Sequence, residues 1–447
     1  MHIKKALLVF AAALMILPLS GCLQSAEDLY ALPRQSDEYY TLQNQIEAVL
    51  DTGAEYSAPV AGDRRQAVQL ADLDSDGQKE AIVFLRTQGE KPLKIYIYKK
   101  TEAGYEEYAV IEGDGSAFAS VDFRQIDTAL GLELVVGRQV SDQLPQTLSV
   151  YTMDGGQASE LLSVSCIRHT LADLNGNGLE DLLVFRTDED AGVGLTEYYS
   201  WTGTGLELVG SADMSAALTP ESIRRVIGGM MQQNTPAVFV ASAYEESTIV
   251  TDVFVLSDGV FTNVSSLGDN PDDLSRIRHR GLYAADVDGD GLIELPRAVA
   301  LPKLGGDEAP AYNKIQWYNL RTDGSRRYKL TTFHNHTDGW FVELLPDWEE
   351  SLAVDYVRDP QQLPCYRFFR AGAGTPAERF VIYAFTGADA AELARSDGRF
   401  PLGRRATYST PGRFTTTASP GRSWSRRSTL FRPTGIPVKC RSVKEKA

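Results

Sequence analysis

Three short acidic stretches carry side chains whose types and spacing suit a metal ion. They read Asp72-Leu-Asp74-Ser-Asp76-Gly77-Gln-Lys-Glu80, Asp173-Leu-Asn175-Gly-Asn177-Gly178-Leu-Glu-Asp181 and Asp286-Val-Asp288-Gly-Asp290-Gly291-Leu-Ile-Glu294. Each places oxygen-bearing side chains at positions 1, 3, 5 and 9 and glycine at position 6. A hard cation such as calcium takes six to eight oxygens at short range, which a tight turn can gather from side chains and a backbone carbonyl. Without a cation, two carboxylates about 4 Å apart repel by about 4 kcal/mol at an effective dielectric near 20. Asp, Asn and Gly also build ordinary turns, but three copies in one register, each leading into an apolar run, argue for a shared purpose. An EF-hand needs a bidentate Glu at position 12 and flanking helices. Here position 12 is Val83, Val184 or Arg297, and the residues that follow read as buried strands.

The elements that must position these loops repeat along the chain. The loops begin 101 and 113 residues apart, and weaker copies lie between them at 121–133 and 226–241. The unit is therefore about 50 residues. Within it, an apolar strand precedes the loop, a buried strand follows, and an alternating strand such as Leu93-Lys-Ile-Tyr-Ile-Tyr98 comes third. A shorter strand such as Tyr108-Ala-Val-Ile111 closes the unit. Tyr198-Tyr-Ser-Trp201 and Ile315-Gln-Trp-Tyr318 fill the third slot in later units. Four strands per unit of this length predict an all-β chain, a β-propeller of about five to seven four-stranded blades. A short N-terminal helix is expected over Ser36–Thr52, where Leu42, Ile46 and Val49 recur at helical spacing.

The loops and the strands around them resemble the FG-GAP or VCBS repeats of the integrin alpha-chain propeller and of bacterial lipoproteins built from such repeats. The resemblance spans roughly residues 60–330. It implies calcium at the blade edges in a structural or adhesive role, with three ligand sets. These are Asp72, Asp74, Asp76 and Glu80; Asp173, Asn175, Asn177 and Asp181; and Asp286, Asp288, Asp290 and Glu294. The backbone carbonyls of Gln78, Leu179 and Leu292 would complete the shells. The family commonly has seven blades, and five clear units are visible here. Loops one and three offer four carboxylate ligands each and loop two offers two plus two amides, so the Asp173 site is expected to bind calcium most weakly.

Residues 1–21 read as a secretory signal, with Lys4 and Lys5 ahead of an apolar stretch too short to span a bilayer. Leu19-Ser-Gly-Cys22 resembles the bacterial lipobox, which implies lipidation at Cys22 and a chain held to a membrane by that lipid, facing the periplasm or cell surface. Residues 22–58 are expected as linker and helix, 59–333 as the repeats, and 334–400 as a further blade or a small β domain. Residues 401–447 form a basic, low-complexity tail. From Thr386 onward the net charge is +9, against −16 for the whole chain of 447 residues. The tail reads as a disordered arm or as the product of a frameshift near residues 400–405.

The acidic balance excludes nucleic acid as a partner. Cys166, Cys365 and Cys440 have no disulfide or zinc spacing. His334-Asn-His336 is expected in a turn, and His169 and His279 as repeated strand residues. No nucleophile elbow, phosphate loop or zincin helix occurs. The expected role is a lipid-anchored, calcium-binding module for adhesion, scaffolding or binding an extracellular protein or polysaccharide. The alternative is a polysaccharide hydrolase or lyase built on the same scaffold, which would need a concave aromatic pocket and a free carboxylate pair.

Overall fold

A computed structural model describes residues 37–433, leaving out 155–156, 189, 245–247, 268–275, 278–281, 305–311, 336–339, 347–350, 371–375, 386–388, 397–398, 407–412 and 421–430. Beyond residue 399 it describes the backbone alone. The signal segment, Cys22, His279, His336 and Cys440 lie outside the described residues. The chain is all-β, with six antiparallel sheets of four or five strands. It divides into two compact units. The first comprises Met1–Ala58, Gln66–Asp72 and Asp76–Asp114, and the second Pro59–Arg65, Leu73–Ser75 and Gly115–Ala447.

In the first unit, a helix over Asp37–Leu50 meets the expected span within a residue or two. Its Leu42 and Ile46 are buried with Ala81, Val83, Leu85, Tyr98 and Tyr105. Those residues belong to sheet I, built from Val68–Ala71, Glu80–Arg86, Leu93–Thr101 and Gly104–Gly113, with Glu55–Tyr56 on its edge. The second strand is buried on both faces, from Glu80 through Leu85. That is why its sequence is continuously apolar rather than alternating.

The second unit holds five sheets in chain order. Sheet II is Ala117–Arg124, Glu133–Gln139, Gln146–Asp154 and Gln157–Cys166. Sheet III is Arg168–Ala172, Asp181–Asp188, Val193–Trp201 and Leu206–Asp213. Sheet IV is Ile223–Met231, Thr235–Ala243, Ile249–Ser257 and Val260–Asn263, with Arg276–Ile277 added beside the third strand. Sheet V is Leu295–Ala300, Asn313–Leu320, Arg326–Asn335 and Trp340–Leu344. Sheet VI begins Leu352–Arg358, Pro364–Arg370 and Ala377–Phe385. Apolar faces are shared between successive sheets. Leu148 and Val150 meet Leu182 and Val184, Phe185 meets Phe254, Phe239 meets Leu295, and Trp340 meets Phe368.

Three expectations change. Trp340–Leu344 is the closing strand of sheet V, because Phe333 pairs with Val342 and Asn335 with Trp340. The strands placed together after residue 334 therefore belong to two sheets. His334 accordingly lies in a strand rather than a turn, with its ring stacked on Phe341 at 4.8 Å. Third, the tail region is not free of strands. Arg413–Pro420 pairs with Ala377–Phe385 and with Phe400–Ala406, and Phe431–Pro433 pairs with Trp340–Leu344. The run Arg-Phe-Thr-Thr-Thr-Ala-Ser-Pro is rich in β-branched residues, a local preference for strand that overall composition conceals.

Candidate metal centre

Each acidic loop joins the strand that opens a unit to the buried strand that follows. In sheets I and III it links Val68–Ala71 to Glu80–Arg86 and Arg168–Ala172 to Asp181–Asp188. Before the third loop the opening strand is, among the described residues, a single bridge, Ala285 to Glu294, in place of the full apolar strand expected there. The weak copy in sheet II has the same place, between Ala117–Arg124 and Glu133–Gln139. In sheet IV a turn of 3-10 helix over Gln232–Asn234 replaces the loop.

The three loops share one backbone design. The position-6 glycines Gly77, Gly178 and Gly291 have φ of 86°, 86° and 90°, a left-handed conformation that a side chain would strain. The position-1 aspartate folds over the turn and accepts from its amides. Asp173 Oδ1 accepts from Gly176 N at 2.7 Å and Oδ2 from Gly178 N at 2.9 Å. Asp286 Oδ1 and Oδ2 accept likewise from Gly289 N and Gly291 N, at 2.6 and 3.1 Å. In the first loop Asp72 Oδ2 accepts from Gly77 N at 3.1 Å, while its buried Oδ1 has no hydrogen-bond partner. Position 5 accepts the position-7 amide each time, Asp76 from Gln78, Asn177 from Leu179 and Asp290 from Leu292, at 2.8–2.9 Å.

Carboxylate oxygens converge in two of the loops. One from each of Asp72, Asp74 and Glu80 lie within 4.8 Å of one another, as do those from Asp286, Asp288 and Asp290, so each group could hold a metal ion. A lysine sits against each of these loops, on Asp76 beside the first group and on two members of the second. Lys99 Nζ is 3.2 Å from Asp76 Oδ2. Lys329 Nζ is 2.9 Å from Asp288 Oδ2 and also pairs with Asp290. Asp76 is held below the usual carboxylate range by the Gln78 amide and then Lys99. Burial works against ionisation of Asp290, but Lys329 and the Leu292 amide leave it lowered.

Position 9 behaves differently from the other positions. Glu80, Asp181 and Glu294 are all buried, each 1 % exposed or less. Glu294 Oε2 accepts from Val287 N at 2.9 Å and Oε1 from Asn319 Nδ2 at 2.7 Å. Burial pushes its carboxyl up to about 7. Glu133 plays the same part in sheet II, accepting from Ile126 N and Asp127 N at 2.6 and 3.1 Å. At Glu133, Asp181 and Glu294 this carboxylate locks the start of the loop onto the sheet, whether or not the loop is acidic.

Several contributors lie on the strand paired with the buried strand after each loop and were not among the expected residues. Strand register sets Tyr98, Tyr151, Tyr199 and Tyr318 opposite Ala81, Leu134, Leu182 and Leu295, the residues just after position 9. The next residue along, Lys99, Thr152, Ser200 or Asn319, falls beside position 9. The recurring pairs Tyr-Lys, Tyr-Thr, Tyr-Ser and Tyr-Asn were the available signal for this second layer. Lys329 had no comparable signal, since it arrives from the neighbouring strand Arg326–Asn335 of sheet V.

Elsewhere in the second unit, a cleft of about 640 Å³ opens beside sheet III. Its polar wall is Glu197, whose Oε1 takes Arg186 Nη2 at 2.6 Å and whose Oε2 takes the Tyr199 hydroxyl at 2.9 Å. Cys166 lines the cleft, with its thiol pushed up to about 12 by burial. His169 lies in a strand, as expected, and burial pulls its imidazole down to about 4. Among the described residues no helix is long and apolar enough to cross a membrane.

No family model matches the chain, and no curated protein matches its sequence. Three solved structures overlap it loosely. Rhamnogalacturonan lyase YesW is 10% identical over 71% of this chain and 74% of its own, with a TM-score of 0.29. Sqt1 of Chaetomium thermophilum is 12% identical over 81% and 95%, with a TM-score of 0.29. A Lactobacillus plantarum protein is 11% identical over 65% and 92%, with a TM-score of 0.18. Overlaps this loose carry no argument about fold or function.

Proposed function

We propose that the chain is a calcium-stabilised β-propeller of FG-GAP or VCBS type, anchored to a bacterial membrane by lipid on Cys22 and acting outside the cytoplasm as a non-catalytic binding or scaffold module. The observation that carries the reading is the convergence of carboxylates in the first and third loops, on a turn built the same way each time. Asp72, Asp74 and Glu80 would hold one ion, and Asp286, Asp288 and Asp290 another. A bound calcium would supply charge neutralisation and tie each turn to its sheet. Serial four-stranded antiparallel sheets that share apolar faces are what propeller blades require. Against the enzyme alternative, the cleft wall offers one carboxylate, Glu197, and both its oxygens are engaged; a glycoside hydrolase needs two in play.

The test has two parts. Calorimetric titration of calcium into chelator-stripped protein is expected to give saturable binding that Asp286→Ala weakens. Incubation with a panel of polysaccharides is expected to release neither reducing nor unsaturated ends. Cleavage of any of them, blocked by Glu197→Gln, would replace the binding role with the enzymatic one.

A further inference from the structure

The geometry points to a second loop that hydrogen bonds have closed and that takes no calcium at concentrations filling the other two. This rests on the calcium reading above and sharpens it to two ions per chain.

In the third loop, position 3 is Asp288, a carboxylate that meets the ammonium of Lys329 at 2.9 Å. In the second loop, position 3 is Asn175, and its amide does the work of a cation. Its Nδ2 donates to Asp181 Oδ1 at 3.1 Å, while its Oδ1 accepts from Asn177 N at 2.9 Å. The reverse amide orientation would set an oxygen against a carboxylate oxygen, so the network fixes the assignment.

Two donors from the third strand complete the closure. Ser200 Oγ donates to Asp181 Oδ1 at 2.6 Å, and the Tyr198 hydroxyl donates to Asp181 Oδ2 at 2.9 Å. With Leu174 N on Oδ2 at 2.9 Å, the two Asp181 oxygens accept four hydrogen bonds. Glu294, the counterpart in the third loop, accepts from Val287 N and Asn319 Nδ2. Asp173 accepts from the amides of Gly176, Asn177 and Gly178 just as Asp286 does from those of Gly289, Asp290 and Gly291, so the two loops differ at positions 3 and 9 rather than at position 1.

Charge agrees with this accounting. The first and third loops are each touched by a lysine, Lys99 or Lys329. Among the described residues no ion pair involves Asp173 or Asp181. Asp181, whose two oxygens accept four hydrogen bonds, needs no neutralising ion. Admitting one would require turning the Asn175 amide and stripping Asp181 of buried hydroxyl donors, which leaves those donors unpaired.

The experiment counts calcium per chain by elemental analysis after gel filtration in calcium buffer. The parent is expected to carry two ions. Asp72→Ala and Asp286→Ala should each remove one, and Asn177→Ala, a milder change than Asp173→Ala, should remove none. Asn175→Asp is expected to bring the count to three, since it puts a carboxylate against Asp181. A parent count of three, or a loss of one ion in Asn177→Ala, overturns the proposal while leaving the calcium reading intact. A parent count of zero overturns both.

Discussion

Replacing Lys329 by methionine separates the two cations that compete for the third loop. The ammonium lies 2.9 Å from Asp288 Oδ2 and also contacts Asp290. Calcium held at 2.3–2.6 Å by the same carboxylates would lie on the order of 5 Å from it. A divalent and a univalent charge at that separation repel by about 1.7 kcal/mol in bulk water and about 7 kcal/mol at an effective dielectric near 20. The side chains involved are 24–36% exposed, which places the effect toward the aqueous end. Lys329→Met should therefore tighten calcium binding at this loop by about 2 kcal/mol, more than tenfold in Kd. The same change should cost roughly 1 kcal/mol of stability in chelator, where the lysine ion pairs offset the carboxylates' repulsion. Calorimetric titration reads the first effect and urea unfolding in chelator the second. An affinity that is unchanged or weaker would refute the picture of lysine and calcium sharing one set of carboxylates.

Other expectations follow from the packing and the buried charges. Asp252 is fully buried and accepts from the Ser215 amide and hydroxyl and from Asn263 Nδ2; burial nevertheless raises its carboxyl above the ordinary range. A raised acid contributes stability below its unfolded value of about 3.9 and loses it as pH climbs through the folded value. The stability advantage of the parent over Asp252→Asn should thus be largest near pH 4 and shrink toward pH 7 in denaturant titrations; an advantage that grows with pH would contradict this. Gly131 has φ of +145°, and a Cβ there would run into the Leu73 carbonyl. Gly131→Ala should cost about 1–3 kcal/mol by urea unfolding, and an unchanged midpoint would show that the backbone can relax. Trp340 is wholly buried against Phe333 and Tyr366, so Trp340→Ala should lose about 3–5 kcal/mol by the same measurement.

What the sequence disclosed depended on how local the physics was. The loops declare themselves because their Asx contacts run two to five residues along the chain, from Asp72 to Gly77 or Asp290 to Leu292. The N-terminal helix was readable because Leu42 and Ile46 are one turn apart. Sheet membership was harder. Trp340-Phe-Val-Glu-Leu has the same alternation whichever sheet it joins, and only its pairing with Phe333 and His334 decides. Leu282-Tyr-Ala-Ala285 before the third loop is apolar, yet among the described residues a single bridge is all that forms there. The residues that close position 9 come from strands 19 to 25 residues away, so Ser200 and Asn319 become visible only once register is known. The difference between an open loop and a closed one then turns on Asn175 and Tyr198, which the pattern of oxygen-bearing positions treats as equivalent to aspartate or ignores.

The most direct measurement is thermal unfolding of the chain from Leu23 onward, first in calcium and then in excess chelator. Two loops filled at about 100 times their dissociation constants should together add about 5 kcal/mol. The account predicts a melting temperature that rises with calcium and falls back in chelator, with Asp72→Ala and Asp286→Ala each removing part of the rise. Identical melting in calcium and chelator would contradict it, leaving the loops as turns held by their own amides and lysines.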